Sequence, residues 1–564
     1  MSNLVKTATD QLEGMVKAAL EKAMEDGSLP QAQLPAFVVE IPADTSHGDF
    51  ATNAAMASAK AFHRAPRQIA QALVDHLTLE GSYFDRVEIA GPGFINFFLN
   101  KNWFSDTLCA ILNEKDQYGR SDAGQGKKVM VEFVSANPTG PMHMGNARGG
   151  AIGDCLAAVL DAVGYDVTRE FYINDAGNQI QKFGKSLSVR YLQLHLGEDA
   201  VALPEECYQG EDIKIHAQNY TKEFGDKLVH VSEEERAQAL IDYALPKNIE
   251  GLKRDLGKYR IQYDVWFRES TLHESGAVRA VVDLLLERGM AYEQDGTIWY
   301  KATAMGAEKD EVLVRSNGIP TYFTADIAYH MNKFVDRGFD KVIDVWGADH
   351  HGHVARLKGA MDAVGVDSSK LDIVLMQMVR LMKDGKPTRM SKRTGKAITL
   401  TDLLEEIPID AARFFFNMRE PNSTLDFDLD LAVEQSSQNP VYYVQYAHAR
   451  ICSILKNFAA EQIQPRTCSK EELELLTQPE EIELIRTLAT YPQELLDAAR
   501  TYDPAHLTTY ARELATAFHK FYNACRCHVQ EESLMQARLN LCVAVQITLR
   551  NLLALMKIQA PEVM

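Results

Sequence analysis

The most constraining feature of the sequence is a strand–loop–helix–strand pattern over residues 128–174. The apolar run VMVEFV comes first, followed by a loop rich in Pro and Gly. Ile152, Leu156 and Val159 then recur at helical spacing before the strand-like segment DVTREFYIN. Because two consecutive strands joined by a helix run parallel with a right-handed crossover, the pattern predicts an α/β domain built on a parallel sheet.

A second set of strand-like segments lies far downstream, at residues 341–346 and 372–382. A helix-compatible segment separates them, so we expect both to join the same sheet. Residues 195–300, between the two halves, are polar and mostly helical in pattern. We therefore interpret them as an insertion that splits the α/β domain.

The two ends of the chain show different patterns from the middle. Residues 1–112 alternate helix-like and strand-like stretches and predict a small α+β module. Residues 436–564 are helical in pattern almost throughout and predict an all-α bundle. The α/β domain then spans 113–435, and three units agree with a prior of about 150 residues per domain.

The composition restricts the partners and the compartment. The chain carries 59 Lys and Arg against 78 Asp and Glu, a net charge of −19, so it does not bind DNA or anionic lipid indiscriminately. No apolar run reaches the length of about 18 residues that a membrane span needs, and no signal-peptide pattern is visible. The eight cysteines are scattered. We expect a cytoplasmic protein with reduced thiols.

The loop SANPTGPMHMGN, between the first strand and its helix, is the strongest candidate site. In a parallel sheet such a loop lies at the carboxyl edge, where free N–H groups and a positive helix end favour phosphate. Gly145 lets an adenine-sized ligand approach the backbone, and His143 can donate a hydrogen bond to a phosphate oxygen. Taken alone, His143 also fits a loop histidine that bonds to nearby carbonyl groups.

A second candidate loop, TRMSKRTGKAITL, follows the downstream strands. Arg389, Lys392, Arg393 and Lys396 lie within eight residues, beside small and flexible residues. This composition suits a loop that closes over phosphates, although a charge run alone is also typical of a solvated surface.

Together the two loops resemble the paired HIGH and KMSKS motifs of class I aminoacyl-tRNA synthetases, with Asn146 in place of the last histidine and Arg389 and Arg393 at the ends of the second motif. The resemblance implies a class I Rossmann-like catalytic domain that activates an amino acid with ATP. It also implies that His143, Asn146 and Lys392 stabilise charge on the phosphates. The remaining ATP contacts that it implies are Gly145, Arg389, Met390 and Ser391.

Further segments are similar to the arginyl-tRNA synthetase family, namely VEFVSANPTGPMHMGN, TYFTAD, NPVYYVQYAHARI and GPGFINF. This similarity implies an N-terminal module that contacts the tRNA D-loop and a C-terminal anticodon-binding domain. It also implies that Ser135 and Asn137 hold the amino and carboxylate end of arginine, and that His350 completes that pocket.

The residue types support arginine independently. A guanidinium is planar, always charged and offers five donors, so a selective pocket presents carboxylates and a phenol. Asp326 and Tyr322 in TYFTAD, with Glu132 on the first strand, are such a set. Lysine would leave buried acceptors unpaired in such a pocket, which rejects it by about 10⁴-fold without a separate editing site.

The implied partners are tRNA(Arg), L-arginine and ATP with Mg²⁺, without DNA or a membrane, and tRNA is expected to bind before activation. We expect a monomer. Single-stranded anticodon bases stack on aromatic rings, which favours Tyr443, Tyr446 and Tyr522, together with the terminal Met564. Phe94 and Asn96 are the corresponding candidates for the D-loop.

Two other interpretations concern metal and function. His350, His351 and His353 could form a zinc site, but structural zinc takes ligands from two separated knuckles, so we expect no protein-bound zinc.

The alternatives to arginine–tRNA ligation are a glutaminyl or cysteinyl synthetase, a tRNA-independent nucleotidyltransferase of the same superfamily, and a catalytically silent tRNA-binding relative.

Overall fold

An antiparallel sheet with helices forms the N-terminal part of the computed structural model, which describes residues 2–388 and 398–564. Its elements are α1 (Leu4–Glu25), β1 (Val39–Glu40), β2 (Phe50–Thr52), α2 (Ala54–Phe62), α3 (Pro66–His76), β3 (Phe84–Ala90), β4 (Phe94–Leu99) and α4 (Lys101–Glu114). The strand order is β1-β2-β4-β3. Helix α1 begins after Asn3, whose side chain accepts a hydrogen bond from the Lys6 N–H, and it buries the face that contains Leu12 and Val16.

A five-stranded parallel sheet forms the centre of the molecule. The central elements are β5 (Lys128–Glu132), α5 (Gly145–Ala162), β6 (Asp166–Ile173), α6 (Gly177–Leu196), α7 (Glu211–Phe224), α8 (Glu233–Lys258), β7 (Val265–Arg268), α9 (Ser270–Glu274), α10 (Ala277–Glu287), β8 (Ala291–Gln294), β9 (Thr297–Tyr300), β10 (Glu311–Val314), α11 (Tyr322–Met331), β11 (Lys341–Gly347), α12 (His351–Ala363) and β12 (Leu371–Met376). The strand order is β12-β11-β5-β6-β7, and each neighbouring pair runs parallel. The predicted parallel α/β architecture is confirmed.

The structure refines two of the expectations about this part. The segment 195–300 is mostly helical, but it also supplies β7 to the edge of the parallel sheet and β8 and β9 to a separate sheet with β10. The single strand expected at 372–382 is instead two strands in different sheets, because the chain turns at Gln377 and Met378.

A small three-stranded sheet connects the central part to the C-terminal helices. The connecting elements are β13 (Val379–Lys383), β14 (Lys386–Pro387), α13 (Leu400–Glu406), α14 (Ile409–Phe416), β15 (Leu425–Asp428) and α15 (Leu429–Val433). Strand β13 lies between β14, which runs antiparallel to it, and β15, which runs parallel. The second candidate loop therefore leaves from the β13–β14 hairpin.

The C-terminal part is helical. Its helices are α16 (Pro440–Ala460), α17 (Lys470–Leu473), α18 (Pro479–Thr501), α19 (Ala505–Ala524) and α20 (Glu532–Leu555). Helix α20 is apolar and long enough to cross a membrane by length and composition, but 67% of its most apolar stretch is buried inside the protein. It is the core helix of the bundle.

Helix α5 lies unusually close to the strand that precedes it, because glycines face the sheet. A Cβ on Gly153 would lie 2.2 Å from Cγ of Phe133, which follows β5, and a Cβ on Gly150 would lie 2.7 Å from Cδ1 of Ile261. At Gly153 a methyl group would force Phe133 or the helix to move, whereas at Gly150 the flexible end of Ile261 would have to shift. The glycines therefore set the distance between the sheet and the start of α5, where the candidate site lies.

Substitution of Gly153 by Ala tests this close contact. We expect a loss of about 1–3 kcal/mol in the free energy of unfolding, since the new methyl group overpacks the interface with Phe133. Gly257→Ala is the matched control, because Gly257 also lies in a helix but a Cβ there meets nothing within 4 Å. Thermal unfolding compares the two variants, and equal melting temperatures would show that the contact imposes no constraint.

Candidate active site

A cavity of about 880 Å³ opens at the carboxyl edge of the central sheet. The loop after β5 forms one wall, and His143, Gly145 and Asn146 line it. A Cβ on Gly145 would meet nothing within 4 Å, so the helix end is open towards the cavity. Gln179 of α6 and Tyr208 also line the cavity, so the helical insertion contributes Tyr208 to its wall.

The segment that follows the second motif is hydrogen-bonded to the first motif. His143 and Thr399 form an isolated β-bridge. The Met144 N–H donates to the Ile398 carbonyl at 2.9 Å, and the Leu400 N–H donates to the Met142 carbonyl at 2.9 Å. The segment that follows the second motif is therefore attached to the cavity wall that carries the first motif. The predicted ATP contacts of the second motif, Arg389, Met390, Ser391 and Lys392, lie outside the described residues.

A smaller cavity of about 240 Å³ lies deeper at the same sheet edge. It is continuous with the larger cavity, since both are lined by Val134, Ser135, Val345, Gly347 and His350. Carboxylate and aromatic side chains dominate the remaining wall: Glu132, Tyr172, Asp326, Tyr329, Asp344 and Trp346. An acidic, aromatic pocket of this kind suits a flat cation.

Three carboxylates lie side by side at the ends of neighbouring strands. Glu132 of β5 is in register with Asp344 of β11 on one side and with Glu170 of β6 on the other. All three are buried, with exposures of 7%, 0% and 0%. In-register neighbours in a sheet point to the same face, so these charges repel one another unless cations lie between them.

Lys333 compensates two of the three carboxylates. Its fully buried Nζ lies 2.6 Å from Oε2 of Glu132 and 2.9 Å from Oδ1 of Asp344. Burial alone would lower the pKa of Lys333, but the two carboxylates overcome that effect and raise it to about 12. Burial raises the pKa of Glu132, whereas Lys333 and His330 outweigh burial and lower that of Asp344.

Arg337, one turn beyond Lys333, compensates the third carboxylate. Its guanidinium donates two hydrogen bonds to Glu170, at 2.9 and 2.5 Å, and the Tyr329 hydroxyl donates a further one at 2.5 Å. Burial, together with Glu132 and Glu170, raises the pKa of Tyr329 well above its usual value, so the phenol stays protonated. The ring of Tyr329 also lies 4.2 Å from Lys333 Nζ.

Asp326 supplies a carboxylate at the side of the inner cavity. Its Oδ2 lies 2.9 Å from Nε2 of His353, and its backbone carbonyl lies 2.7 Å from Nδ1 of His330. Nε2 of His330 lies in turn 2.8 Å from Asp344. The side chain of Asp326 is 35% exposed, unlike the buried carboxylates beside it, so it is accessible to a ligand.

The backbone between the two cavities is strained. Val134 and Ser135 have φ angles of 70° and 42°, in the left-handed region that β-branched residues in particular avoid. Such residues cost about 1–3 kcal/mol each and cluster at functional sites. The turn directs the Ser135 hydroxyl back to Glu132, to which it donates at 2.8 Å, while it accepts from the Tyr172 N–H at 3.1 Å.

The structure brings most of the predicted arginine-binding residues together. Ser135, Asp326 and His350 line the inner cavity, and Glu132 contributes to its floor. Asn137 lines the outer cavity instead.

Tyr322 differs from the prediction. It lines neither cavity and is 40% exposed at the first residue of α11, with its ring facing Gly177. In this arrangement the phenols of the inner cavity are Tyr172 and Tyr329.

The predicted tRNA contacts lie at both ends of the chain. On α16 and α19 the Arg450 guanidinium lies 4.7 Å from the Tyr446 ring and 4.8 Å from the Tyr522 ring, so the three side chains form one stacked cluster. Tyr443 is half-buried beside His519, at a ring distance of 5.0 Å, and Met564 is exposed.

Phe94 and Asn96 both lie on β4. Phe94 is half-buried, but Asn96 is only 5% exposed, because β4 is covered on that side by the segment around Gly48. The Asn96 side chain is therefore largely covered in this structure, and its contact with the D-loop stays a prediction.

Reasoning from the sequence missed four residues of the inner cavity and its charge network, although two signals were available. They are Tyr329, His330, Lys333 and Asp344. Asp344 interrupts the apolar strand KVIDVW, and a charge inside such a strand needs a buried partner. Asp326, His330 and Lys333 follow at spacings of four and three residues, which places them on one helix face.

Comparison with protein families decides the assignment. A family model described as "tRNA synthetases class I (R), catalytic domain" matches residues 107–456. "Arginyl tRNA synthetase N terminal domain" matches residues 10–99, and "DALR anticodon binding domain" matches residues 444–564. The chain belongs to the arginyl-tRNA synthetase family.

Individual relatives of the family agree over the whole length. The arginine–tRNA ligase of Acetivibrio thermocellus is 55% identical over 564 residues, with full coverage of both chains. That of Ruminiclostridium cellulolyticum is 54% identical over 562 residues, again with full coverage. The structure of the Thermus thermophilus arginyl-tRNA synthetase superposes with a TM-score of 0.73 at 22% identity, covering 97% of this chain and 99% of that one, which shows the shared fold.

Removal of the buried cation tests the balance of charge at the sheet edge. We expect Lys333→Met to lose about 3–5 kcal/mol of stability, because Glu132 and Asp344 are left buried without a counter-ion. Burial raises the pKa of Glu132, so the loss grows as the pH rises and the carboxylates ionise, and it shrinks at mildly acidic pH, where they take up protons. Unfolding at several pH values measures both effects.

The control for this prediction is Lys253→Met, since Lys253 forms an ion pair with Glu250 on the surface. We expect it to change the stability by no more than about 0.5 kcal/mol at any pH. A Lys333→Met loss that does not depend on pH would contradict the proposed charge compensation.

Proposed function

We propose that the two joined cavities form the active site of an arginine–tRNA ligase, which activates L-arginine with ATP and transfers it to the terminal ribose of tRNA(Arg). The observation that carries this proposal is the acidic inner cavity, which opens directly into the cavity lined by His143, Gly145 and Asn146. A cationic side chain fits the first cavity and a nucleotide fits the second. Arginine–tRNA ligation is also the reaction named for the relatives of this chain.

The inner cavity is proposed to bind the arginine side chain. Asp326 faces the guanidinium with a carboxylate, and the rings of Tyr172 and Trp346 give the flat surfaces on which a guanidinium stacks. Lys333 already neutralises part of the charge of Glu132 and Asp344, so Glu132 acts mainly by shaping the floor. Ser135 and Asn137, at the junction of the two cavities, face the amino and carboxylate end.

Adenylation is proposed to occur in the outer cavity, with MgATP as the substrate. The arginine carboxylate attacks the α-phosphorus, an oxygen–phosphorus bond forms, and pyrophosphate leaves. Because the carboxylate is already ionised, no general base is needed. His143 and Asn146 donate hydrogen bonds to the phosphates, and Arg389, Met390, Ser391 and Lys392 are assigned to the same ATP by the family motif.

Transfer and tRNA binding complete the proposed cycle. A hydroxyl of the terminal ribose attacks the arginyl carbonyl and releases AMP. The cluster of Tyr446, Arg450 and Tyr522 offers the stacking surfaces that unpaired anticodon bases require. Tyr443, whose ring lies beside the same His519 ring as Tyr446, and the exposed Met564 are the remaining candidates for the anticodon, and Phe94 and Asn96 are the candidates for the D-loop.

The remaining expectations complete the proposal. The chain divides into a D-loop-contacting module at 1–112, a catalytic domain at 113–435 and an anticodon-binding domain at 436–564. It acts in the cytoplasm as a monomer, without DNA, a membrane or bound zinc. The family requires tRNA before activation, and we extend that order to this chain.

The assay that tests the function measures which amino acid is attached to bulk tRNA when the chain is given MgATP and each standard amino acid in turn. We expect arginine alone to be attached. Exchange of pyrophosphate into ATP is then measured with and without tRNA, and we expect it only with tRNA. Charging with glutamine or cysteine would overturn the arginine assignment, and exchange without tRNA would favour a tRNA-independent nucleotidyltransferase.

Substitution of Asp326 tests the assignment of the inner cavity. We expect Asp326→Ala to raise the KM for arginine by roughly 10- to 100-fold, since a charged hydrogen bond to the guanidinium is lost, and to leave the KM for ATP nearly unchanged. Asp283→Ala, which removes an exposed partner of Arg279 on α10, serves as the control. An ordinary KM for arginine in Asp326→Ala would refute the role of this carboxylate.

A further inference from the structure

Arg148 is buried without a carboxylate partner. It lies in the first turn of α5, three residues after Gly145, and its exposure is 0%. Among residues 2–388 and 398–564, no acidic side chain forms an ion pair with it. A buried guanidinium without a counter-ion is costly, and burial lowers the pKa of Arg148 to about 10. The contacts of the Arg148 side chain indicate what this buried charge does.

The guanidinium of Arg148 binds only backbone carbonyl groups. One terminal nitrogen donates to Gln377 and to Ser423, both at 2.8 Å, and the other donates to Glu420 at 3.0 Å. The Gln377 N–H donates to the Pro421 carbonyl at 2.9 Å, so the two loops also bind each other. Two separate guanidinium nitrogens share these three bonds, whereas a lysine would have to serve all three carbonyls from one ammonium nitrogen.

Both loops that Arg148 holds are the starting points of strands. Gln377 is followed by β13, which carries the hairpin from which the second motif leaves. Ser423 is followed by β15, which pairs with β13 from Val379 onwards. One side chain on the nucleotide-facing end of α5 therefore fixes where both strands begin. Met376, directly before Gln377, lines the outer cavity, so the junction borders the nucleotide site.

The other side of this junction faces the C-terminal helices. Glu420 and Ser423 line a cleft of about 500 Å³. Its opposite wall comes from α18 and α19 and includes Glu494, His506 and Glu513. Arg148 therefore links α5 to the loop at residues 420–423, which borders this cleft.

We infer that Arg148 is a positioning residue, which aligns strand β13 and the β13–β14 hairpin with the end of α5 that lines the outer cavity. It does not touch substrate, since its side chain ends on the three backbone carbonyls. Its effect falls on the use of ATP and not on the binding of arginine, because the inner cavity contacts neither loop of the junction. This inference rests on the proposed adenylation reaction.

Arg148→Lys and Arg148→Gln in the full-length chain test the inference. Pyrophosphate exchange in the presence of tRNA is measured on enzyme whose active fraction has been titrated. We expect both variants to raise the KM for ATP by about 10-fold or more and to change the KM for arginine by less than about 2-fold. Misplacement of β13 and its hairpin disturbs the outer cavity, where ATP is proposed to bind, and not the inner one. Arg148→Lys should retain more activity than Arg148→Gln, since its ammonium group keeps the positive charge and three donors on one nitrogen.

Arg413→Lys is the matched control. Arg413 is equally buried against α5, but it binds Asp154 and the carbonyls of Tyr259 and Met556, away from the cavity. We expect it to lower the melting temperature and leave the KM for ATP unchanged. As a second measurement, hydrogen exchange at residues 379–383 should rise in Arg148→Lys and not in Arg413→Lys.

The outcomes separate the two proposals. Wild-type chain that attaches no arginine to tRNA contradicts the proposed function itself. If the wild-type chain is active, two results overturn the positioning role. In one, the Arg148 variants keep a normal KM for ATP; in the other, they shift the KM for ATP and the KM for arginine equally. If neither Arg148 variant folds, the residue serves stability alone and the inference is rejected.

Discussion

The ion pairs of Lys333 hold the carboxyl edge of the central sheet together. Register places Glu132, Asp344 and Glu170 side by side on three strands, and without cations these buried carboxylates would be uncompensated and strongly destabilising. Lys333 joins Glu132 to Asp344, and Arg337 binds Glu170 from the same stretch of chain. That stretch is a π-helical turn at Asn332–Asp336 directly after α11, and such turns are frequent at functional sites.

The same charge balance explains the selectivity of the inner cavity. Lys333 neutralises carboxylates that would otherwise take up protons, which keeps the floor polar and ordered. The Asp326 carboxylate takes no part in the ion pairs of Lys333; it lies at the side of the inner cavity, beside His353. It can therefore receive an additional cation that the floor does not need. Under the proposed assignment an arginine side chain would supply this cation, because its charge is permanent and its donors lie in one plane.

Helix α5 connects this site to the rest of the molecule. Gly153 brings it close to the sheet, its first turn faces the nucleotide cavity, and Arg148 binds the loops from which β13 and β15 start. Further along the helix, Asp154 binds Arg413, which also donates to the Met556 carbonyl at the end of α20. The position of the C-terminal helices is thus linked to the helix that carries the first motif.

The sequence by itself determined the fold class, the parallel sheet, the helical C-terminus and the family, because these depend on local periodicity and on motifs of adjacent residues. Glu132 and Asp326 were also found from their chemistry. The compensation of the buried carboxylates by Lys333 was not predicted from the sequence, because Glu132, Asp344 and Lys333 become neighbours only through strand register and the turn after α11. The exposure of Tyr322 and the burial of Asn96 were likewise decided by tertiary packing. Sequence patterns report what lies along the chain, whereas the contacts that balance buried charge are made between distant segments.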